Sequence, residues 1–372
     1  MKNKVVLLTS ANFFTISKFR YTLISKLIKN GCRVILFSSY DSMSHNSMKR
    51  LKNIGAICIE TGNGRGSYSL FEALKYIKGY LAILKKYQVD VAINFTLMPM
   101  IFGGIVCQLK NLRFVSVVTG LGSQYHRSSI ARKVLKFAYK IIVSRSNQTW
   151  FVSRSDANIG LQELNLPPDK VKIAYGSGVD VQQFFTKVKN NKSSQPMEIM
   201  QMGRIRLDKG IEDFISLSHK LKNNNGFFMT LMGGFDDNQA VKILVNDAVD
   251  KGQITKKDFQ YDNIECLRSA DILLLCSRHE GMPTIILEAM ANGVIPVSSN
   301  LPVISELNNM GASILSYVMG DVESLWSVIS KIEQLTSEDQ DKILASNYKF
   351  VSEYFQKDKI ANIQYNFLSE LI

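Results

Sequence analysis

Short, nearly continuous apolar runs alternate with longer amphipathic stretches along the whole chain. VVLLTS (5–10), RVILFSS (33–39), AICIET (56–61), VAINF (91–95), FVSVVTG (114–120), TWFVS (149–153) and VKIAYGSG (171–178) read as strands separated by helical segments. Runs without polar alternation fit strands buried on both faces, so this half predicts a doubly wound parallel sheet. TKVKNNKSSQP (186–196) is polar and rich in turn formers, and marks a linker. The pattern then resumes with EIMQMG (198–203), FFMTLMGG (227–234), DILLLC (271–276) and VIPVSS (294–299). From about Ser337 onward the chain looks helical, with no further strand. The predicted fold class is α/β, with an N-terminal domain over 1–185, a C-terminal domain over 197–350 and a terminal helical segment over 351–372.

Length and composition agree with two domains. The 372 residues exceed one ordinary core, and 46% hydrophobic with 21% charged residues describes a globular chain. No run of eighteen apolar residues occurs, so no spanning helix is expected. The basic start MKNKVVLLTS has too short an apolar run for a secretion signal and reads as a first strand. Cys32, Cys58, Cys107, Cys266 and Cys276 are scattered and odd in number, which fits neither a disulfide framework nor a metal cluster. A cytoplasmic location is expected.

Charge is divided unequally. Residues 1–190 hold 28 Lys and Arg against 8 Asp and Glu, a net of +20, whereas residues 191–372 hold 17 against 24, a net of −7. A strongly basic half implies nucleic acid or anionic lipid as a partner. SSIARKVLKFAYKIIVSR (128–145) interleaves Ile130, Val134, Leu135, Phe137, Ile141 and Ile142 with Arg132, Lys133, Lys136 and Lys140. That is a broad apolar face with a basic border, suited to the plane of an anionic membrane surface. A helix packed on a core with an ordinary solvated face would give the same pattern. Recognised nucleic-acid-binding modules are missing, so no nucleic-acid partner is expected.

Two segments carry chemistry. In SRHEGMPTIILEAMANGVIPVSS (277–299), a strand leads through a loop with Glu280, Gly281, Met282 and Pro283 into a short helix from about Thr284. Backbone N–H groups at the start of such a helix form an anion site, strengthened by its dipole. Gly281 lets backbone approach a ligand, and Thr284 is expected to cap the first turn. Glu280 sits at the mouth of this pocket and Glu288 one turn into the helix, where a carboxylate suits ribose hydroxyls. Either glutamate alone would ordinarily be a solvated surface group.

The second segment, EIMQMGRIRLDKGIEDFISLSHKL (198–221), is a strand–Gly203–Arg204–turn–Lys209–Gly210–helix unit. It presents two cations at the carboxyl end of a parallel strand, where open α/β sheets bind ligands. Arg offers a planar fork to phosphate oxygens, and Lys a compact point charge. Together the segments point to a nucleoside diphosphate carrying a sugar.

On these motifs the chain resembles the family-four retaining glycosyltransferases of GT-B fold, in the branch acting on bacterial polyprenyl-linked and cell-surface glycans. GRIRLDKG (203–210) is similar to that family's Gly-Arg…Lys-Gly element, and EGMPTIILE (280–288) to its paired glutamates. GSGVD (176–180) resembles the segment before the interdomain crossing, and TGLGS (119–123) an N-terminal-domain loop. The resemblance implies two Rossmann-like domains facing each other across a cleft, with the C-terminal helix crossing back to the first.

It also implies transfer, with retention, from a UDP-linked sugar to a lipid-linked or surface-polysaccharide acceptor at the inner face of a membrane. Arg204, Lys209 and Glu280 would be the catalytic residues, and Gly203, Gly281, Met282, Pro283, Thr284 and Glu288 would bind the donor. The two cations stabilise the leaving diphosphate without calling for a metal, and no cofactor beyond the donor is implied. Both double displacement and attack by the acceptor on the donor's own face stay open. The chain departs from the family at Thr9-Ser10-Ala11-Asn12, which lacks a glycine pair, and at Gly120, where a His or Asp is usual. His126 lies close in sequence. The alternatives are another GT-B enzyme, such as a sugar-nucleotide epimerase, and a non-catalytic basic protein binding membrane or nucleic acid.

Overall fold

The computed structural model describes residues 1–41, 44–61, 70–120, 130–181, 196–236, 238–258 and 264–372. It comprises two compact units, one formed by Met1–Gly178 with Lys357–Ile372 and the other by Val179–Gln356. The 186–196 segment lies, but for its last residue, outside the described residues.

The first unit holds seven strands: β1 (Val5–Asn12), β2 (Arg33–Ser39), β3 (Ile57–Glu60), β4 (Val91–Phe95), β5 (Arg113–Val118), β6 (Gln148–Phe151) and β7 (Val171–Ile173). They form one parallel sheet in the order β3-β2-β1-β4-β5-β6-β7. The continuous apolar runs have a direct cause, since each sheet face carries its own core. On one face, helices Phe13–Lys29, Ser44–Asn53 and Lys357–Ser369 cover Val6, Leu8, Val34, Ile93 and Trp150. On the other, helices Leu70–Tyr87, Gly104–Leu109 and Ile130–Arg145 cover Leu7, Ile35, Ala92 and Phe114. The terminal helix therefore returns to the first unit, where Gln364 Nε2 donates to the carbonyls of Ala174 (3.1 Å) and Gly176 (2.7 Å). Arg20, buried with its guanidinium over the Phe95 ring, donates to the same Gly176 carbonyl.

The second unit holds β8 (Met197–Met202), β9 (Phe227–Met232), β10 (Thr255–Lys257), β11 (Ile272–Leu275), β12 (Ile295–Ser299) and β13 (Leu315–Tyr317), all parallel, in the order β10-β9-β8-β11-β12-β13. Two of these strands were not expected. β10 and β13 are three-residue edge strands, TKK and LSY in sequence, without the apolar run that marks a central strand. The fold is the doubly wound pair that the resemblance implied.

Candidate functional site

Strands β8 and β11 are neighbours in space, paired as Ile199 with Ile272 and Met200 with Leu273, although β9 and β10 come between them in sequence. Successive strands are added outward on one side of β8 and then on the other side from β11. That makes β8 and β11 the switch point of the topology, where open α/β sheets bind ligands in the crevice at the carboxyl ends of the strands. Gly203 follows β8 and Glu280 follows β11 by a few residues, so both sequence motifs reach that crevice.

Local chemistry draws the two loops together. Leu207–Lys209 forms a single 3-10 turn ended by Gly210, whose φ of 69° is left-handed. A Cβ on Gly210 would stand 1.8 Å from the carbonyl oxygen of Cys276. Only glycine allows both that conformation and that approach. Arg278 then ties the loops: its backbone N–H donates to the Asp208 carbonyl (2.9 Å), its Nε to the Leu207 carbonyl (3.2 Å) and its Nη2 to Glu212 (2.5 Å).

The result is an ion pair with Lys209 Nζ 2.6 Å from Glu280 Oε1. Ser277 Oγ donates to the same oxygen at 2.6 Å, and the Ser277 carbonyl accepts from Ser299 Oγ at 2.6 Å. Two donors on one oxygen fix the carboxylate and leave Oε2 without a hydrogen bond among the described residues. Lysine has three N–H donors, so its ammonium keeps capacity for an anion. Lys209 and Glu280 border a cavity of about 210 Å³ whose wall also includes Gly203, Arg204, Met282, Pro283 and Thr284. Arg204 is exposed and makes no ion pair among the described residues. Arg206 is engaged instead, with Asp208 at 2.7 Å and Asp236 at 3.2 Å. The motif's two arginines are thus divided, one structural and one open to a ligand.

Helix Thr284–Ala291 runs from the far wall. Its N-cap is Pro283, without any side-chain capping bond, so the expected capping by Thr284 is corrected: Thr284 is the first helical residue. Its N–H donates to the Met282 carbonyl (2.9 Å) and that of Ile286 to Pro283 (2.9 Å), whereas that of Ile285 finds no backbone acceptor among the described residues. Ile285 also lines the cavity. Gly281 and Glu288 are not part of its wall. Glu288 is half-buried one turn into the helix, where its carbonyl accepts from Asn292 Nδ2 at 2.8 Å. Ser277 and Arg278 escaped the sequence reading; the signal for Ser277 was its place three residues before Glu280, while the partners of Arg278 lie about seventy residues away. Leu121–Ser129, with His126, lie outside the described residues, as do most of the TGLGS motif and residues 259–263. No group of three His, Cys, Asp or Glu side chains suited to a metal ion occurs among the described residues.

Residues 182–350 match the family model Glycosyl transferases group 1, and residues 4–153 match Glycosyl transferase 4-like. The chain belongs to these glycosyltransferases. It is 25% identical over 301 residues, 77% of this chain and 78% of the relative, to N,N'-diacetylbacillosaminyl-diphospho-undecaprenol alpha-1,3-N-acetylgalactosaminyltransferase of Campylobacter jejuni. UDP-Gal:alpha-D-GlcNAc-diphosphoundecaprenol alpha-1,3-galactosyltransferase of Escherichia coli is 24% identical over 294 residues, 74% of this chain and 73% of that one. Among solved structures, Anabaena HepE in complex with UDP-glucose superposes with a TM-score of 0.77 at 15% identity, covering 98% of this chain and 99% of that chain.

Proposed function

We propose that the cavity bordered by Arg204, Lys209 and Glu280 receives the diphosphate and sugar of a UDP-linked donor. The enzyme then transfers that sugar, with retention, to a lipid-linked glycan such as an O-antigen or capsule repeat unit. One observation carries this reading: an arginine with no ion pair among the described residues, a lysine and an oriented carboxylate share one cavity at the carboxyl ends of β8 and β11. Arg204 and Lys209 would neutralise charge developing on the leaving diphosphate, joined by the N–H of Ile285. Glu280, held through Oε1, offers Oε2 to the donor sugar. It either orients hydroxyls or faces positive charge at the anomeric carbon. Glu288 is assigned to the ribose, and Gly203, Gly281, Met282, Pro283 and Thr284 to backbone contacts with the donor. The first unit would take the acceptor.

The names of two relatives support an acceptor of this kind, a sugar linked to diphospho-undecaprenol, and one of the two names UDP-Gal as its donor. An enzyme that used such an acceptor would work at the inner face of a membrane. The basic helix Ile130–Arg145 supports this, with Tyr139, Ile142 and Val143 buried while Lys133, Phe137 and Lys140 are exposed on one stripe. The test is incubation with a panel of UDP-sugars and an undecaprenyl diphosphate-linked glycan. Label passing to the lipid fraction is expected. Interconversion of free nucleotide sugars with no transfer would assign the site to an epimerase.

A further inference from the structure

Gln201 is an amide set in an apolar layer. It stands on β8 two residues after Ile199, so both side chains face the same side of the sheet. Ile199 packs there with Leu231, Leu274, Ile211, Phe214 and Val297, and Leu231 is the strand partner of Gln201. Gln201 itself is only 6% exposed. An amide taken out of water costs stability unless both of its ends find hydrogen bonds.

Only one end does. Nε2 donates to the Lys209 carbonyl at 3.1 Å, which braces the turn that carries the lysine. A carbonyl accepts and never donates, so this contact fixes which end of the amide is nitrogen. Oε1 is left buried and without a hydrogen bond among the described residues. Asn94, Ser116 and Ser298 also hold an unbonded buried atom, but Gln201 differs in bordering the 210 Å³ cavity beside Lys209, Ser277 and Glu280.

The chemistry of the absent partner follows from the acceptor. A deprotonated diphosphate has no proton to give to an amide oxygen. Glu280 Oε2, on the same cavity, is in the same position. Two cations therefore suit phosphate, and two acceptors call for a hydroxylated group next to it. In a sugar nucleotide that group is the transferred sugar, since the ribose is assigned to Glu288, outside this wall.

We infer that Gln201 Oε1 accepts a hydrogen bond from one hydroxyl of the transferred sugar and so helps to set which sugar the enzyme takes. The inference rests on the donor reading above and deepens it, adding a specificity residue to the cations and carboxylate. A buried acceptor favours a ligand that supplies the matching hydroxyl and disfavours one that lacks it. Bracing Lys209 would employ the nitrogen alone, and a braced lysine serves UDP and UDP-sugars alike.

Calorimetry of the full chain tests this with UDP, UDP-glucose, UDP-galactose, UDP-N-acetylgalactosamine and single-position deoxy analogues of whichever sugar binds most tightly. In the native protein, loss of one particular hydroxyl should weaken binding about ten- to a hundredfold, because the buried acceptor then stays unbonded. In Gln201→Met, similar in length but without the amide, the same loss should matter less than about threefold. Gln201→Glu keeps an oxygen and gives up the nitrogen. It should preserve the discrimination while binding UDP itself about tenfold more weakly, and it decides the matter should Gln201→Met fail to fold. A native protein indifferent to every deoxygenation overturns the inference, as does native discrimination in Gln201→Met. Discrimination lost in both variants assigns the effect to the brace on Lys209 and overturns it as well. A native protein that binds neither UDP nor any UDP-sugar removes the donor reading itself, and this role of Gln201 with it.

Discussion

Lys209 and Glu280, 71 positions apart in the chain, meet through a 2.6 Å contact between Nζ and Oε1. Their side chains are 25% and 17% exposed, so the pair is partly screened and its value to stability is small. What it supplies is placement. An ammonium held by one carboxylate oxygen stands at the cavity wall before any ligand arrives, and preorganised charge costs no rearrangement during reaction.

Ser277 donates to the same Glu280 oxygen and is itself completely buried. Ser277→Ala should leave folding nearly intact and lower turnover about fivefold, corresponding to roughly 1 kcal/mol for one hydrogen bond. Steady-state kinetics should show the loss in kcat with KM nearly unchanged; Ser277→Thr, which keeps the hydroxyl, should recover part of it.

Gly210 is held in a left-handed turn against the Cys276 carbonyl. Gly210→Ala adds both a conformational penalty and a backbone clash, and should cost more than about 2 kcal/mol of stability. A denaturant titration checks this, and an unchanged midpoint would mean that the two loops can separate freely.

How far the chain's own pattern discloses this site follows from the kind of interaction involved. Central strands were legible because burial on both faces demands long apolar runs, as in β1, β4 and β11. The edge strands β10 and β13 were not, since three residues at a margin require no such run. Gly203, Arg204, Lys209 and Glu280 stood out through motif spacing. Arg278 acts through contacts with residues about seventy positions away, which no local pattern marks, whereas Ser277 stands three residues before the Glu280 it holds. Thr284 was misjudged because Thr is a common cap, while here Pro283 occupies that position.

Cys107 is buried beside Tyr80, and desolvation pushes its thiol up from the ordinary 9.0 to about 12. Burial likewise pushes the Cys276 thiol well above its usual range. Both should resist maleimide at neutral pH and react fully once the chain unfolds, as read by mass spectrometry. Because the unfolded thiol ionises first, stability from this source is complete below pH 9 and is lost as pH rises toward about 12. The melting temperature should fall over that interval, and less steeply in Cys107→Ala.

Replacing Arg132, Lys133 and Lys136 with Ser should weaken binding to anionic vesicles by about tenfold or more while UDP affinity stays constant. Co-sedimentation at two ionic strengths checks the electrostatic origin, because high salt should reduce the difference between native and variant protein. Unchanged vesicle association would remove Ile130–Arg145 from the membrane contact.

The most direct measurement is calorimetric titration of UDP into the native enzyme, Arg204→Ala and Lys209→Ala. Each lost cation should weaken UDP binding roughly ten- to a hundredfold, the range for a hydrogen bond to a charged group, and reduce turnover about a hundredfold or more. Native UDP affinity and native rates in both variants would contradict the account, because the diphosphate would then lie somewhere other than the cavity between β8 and β11.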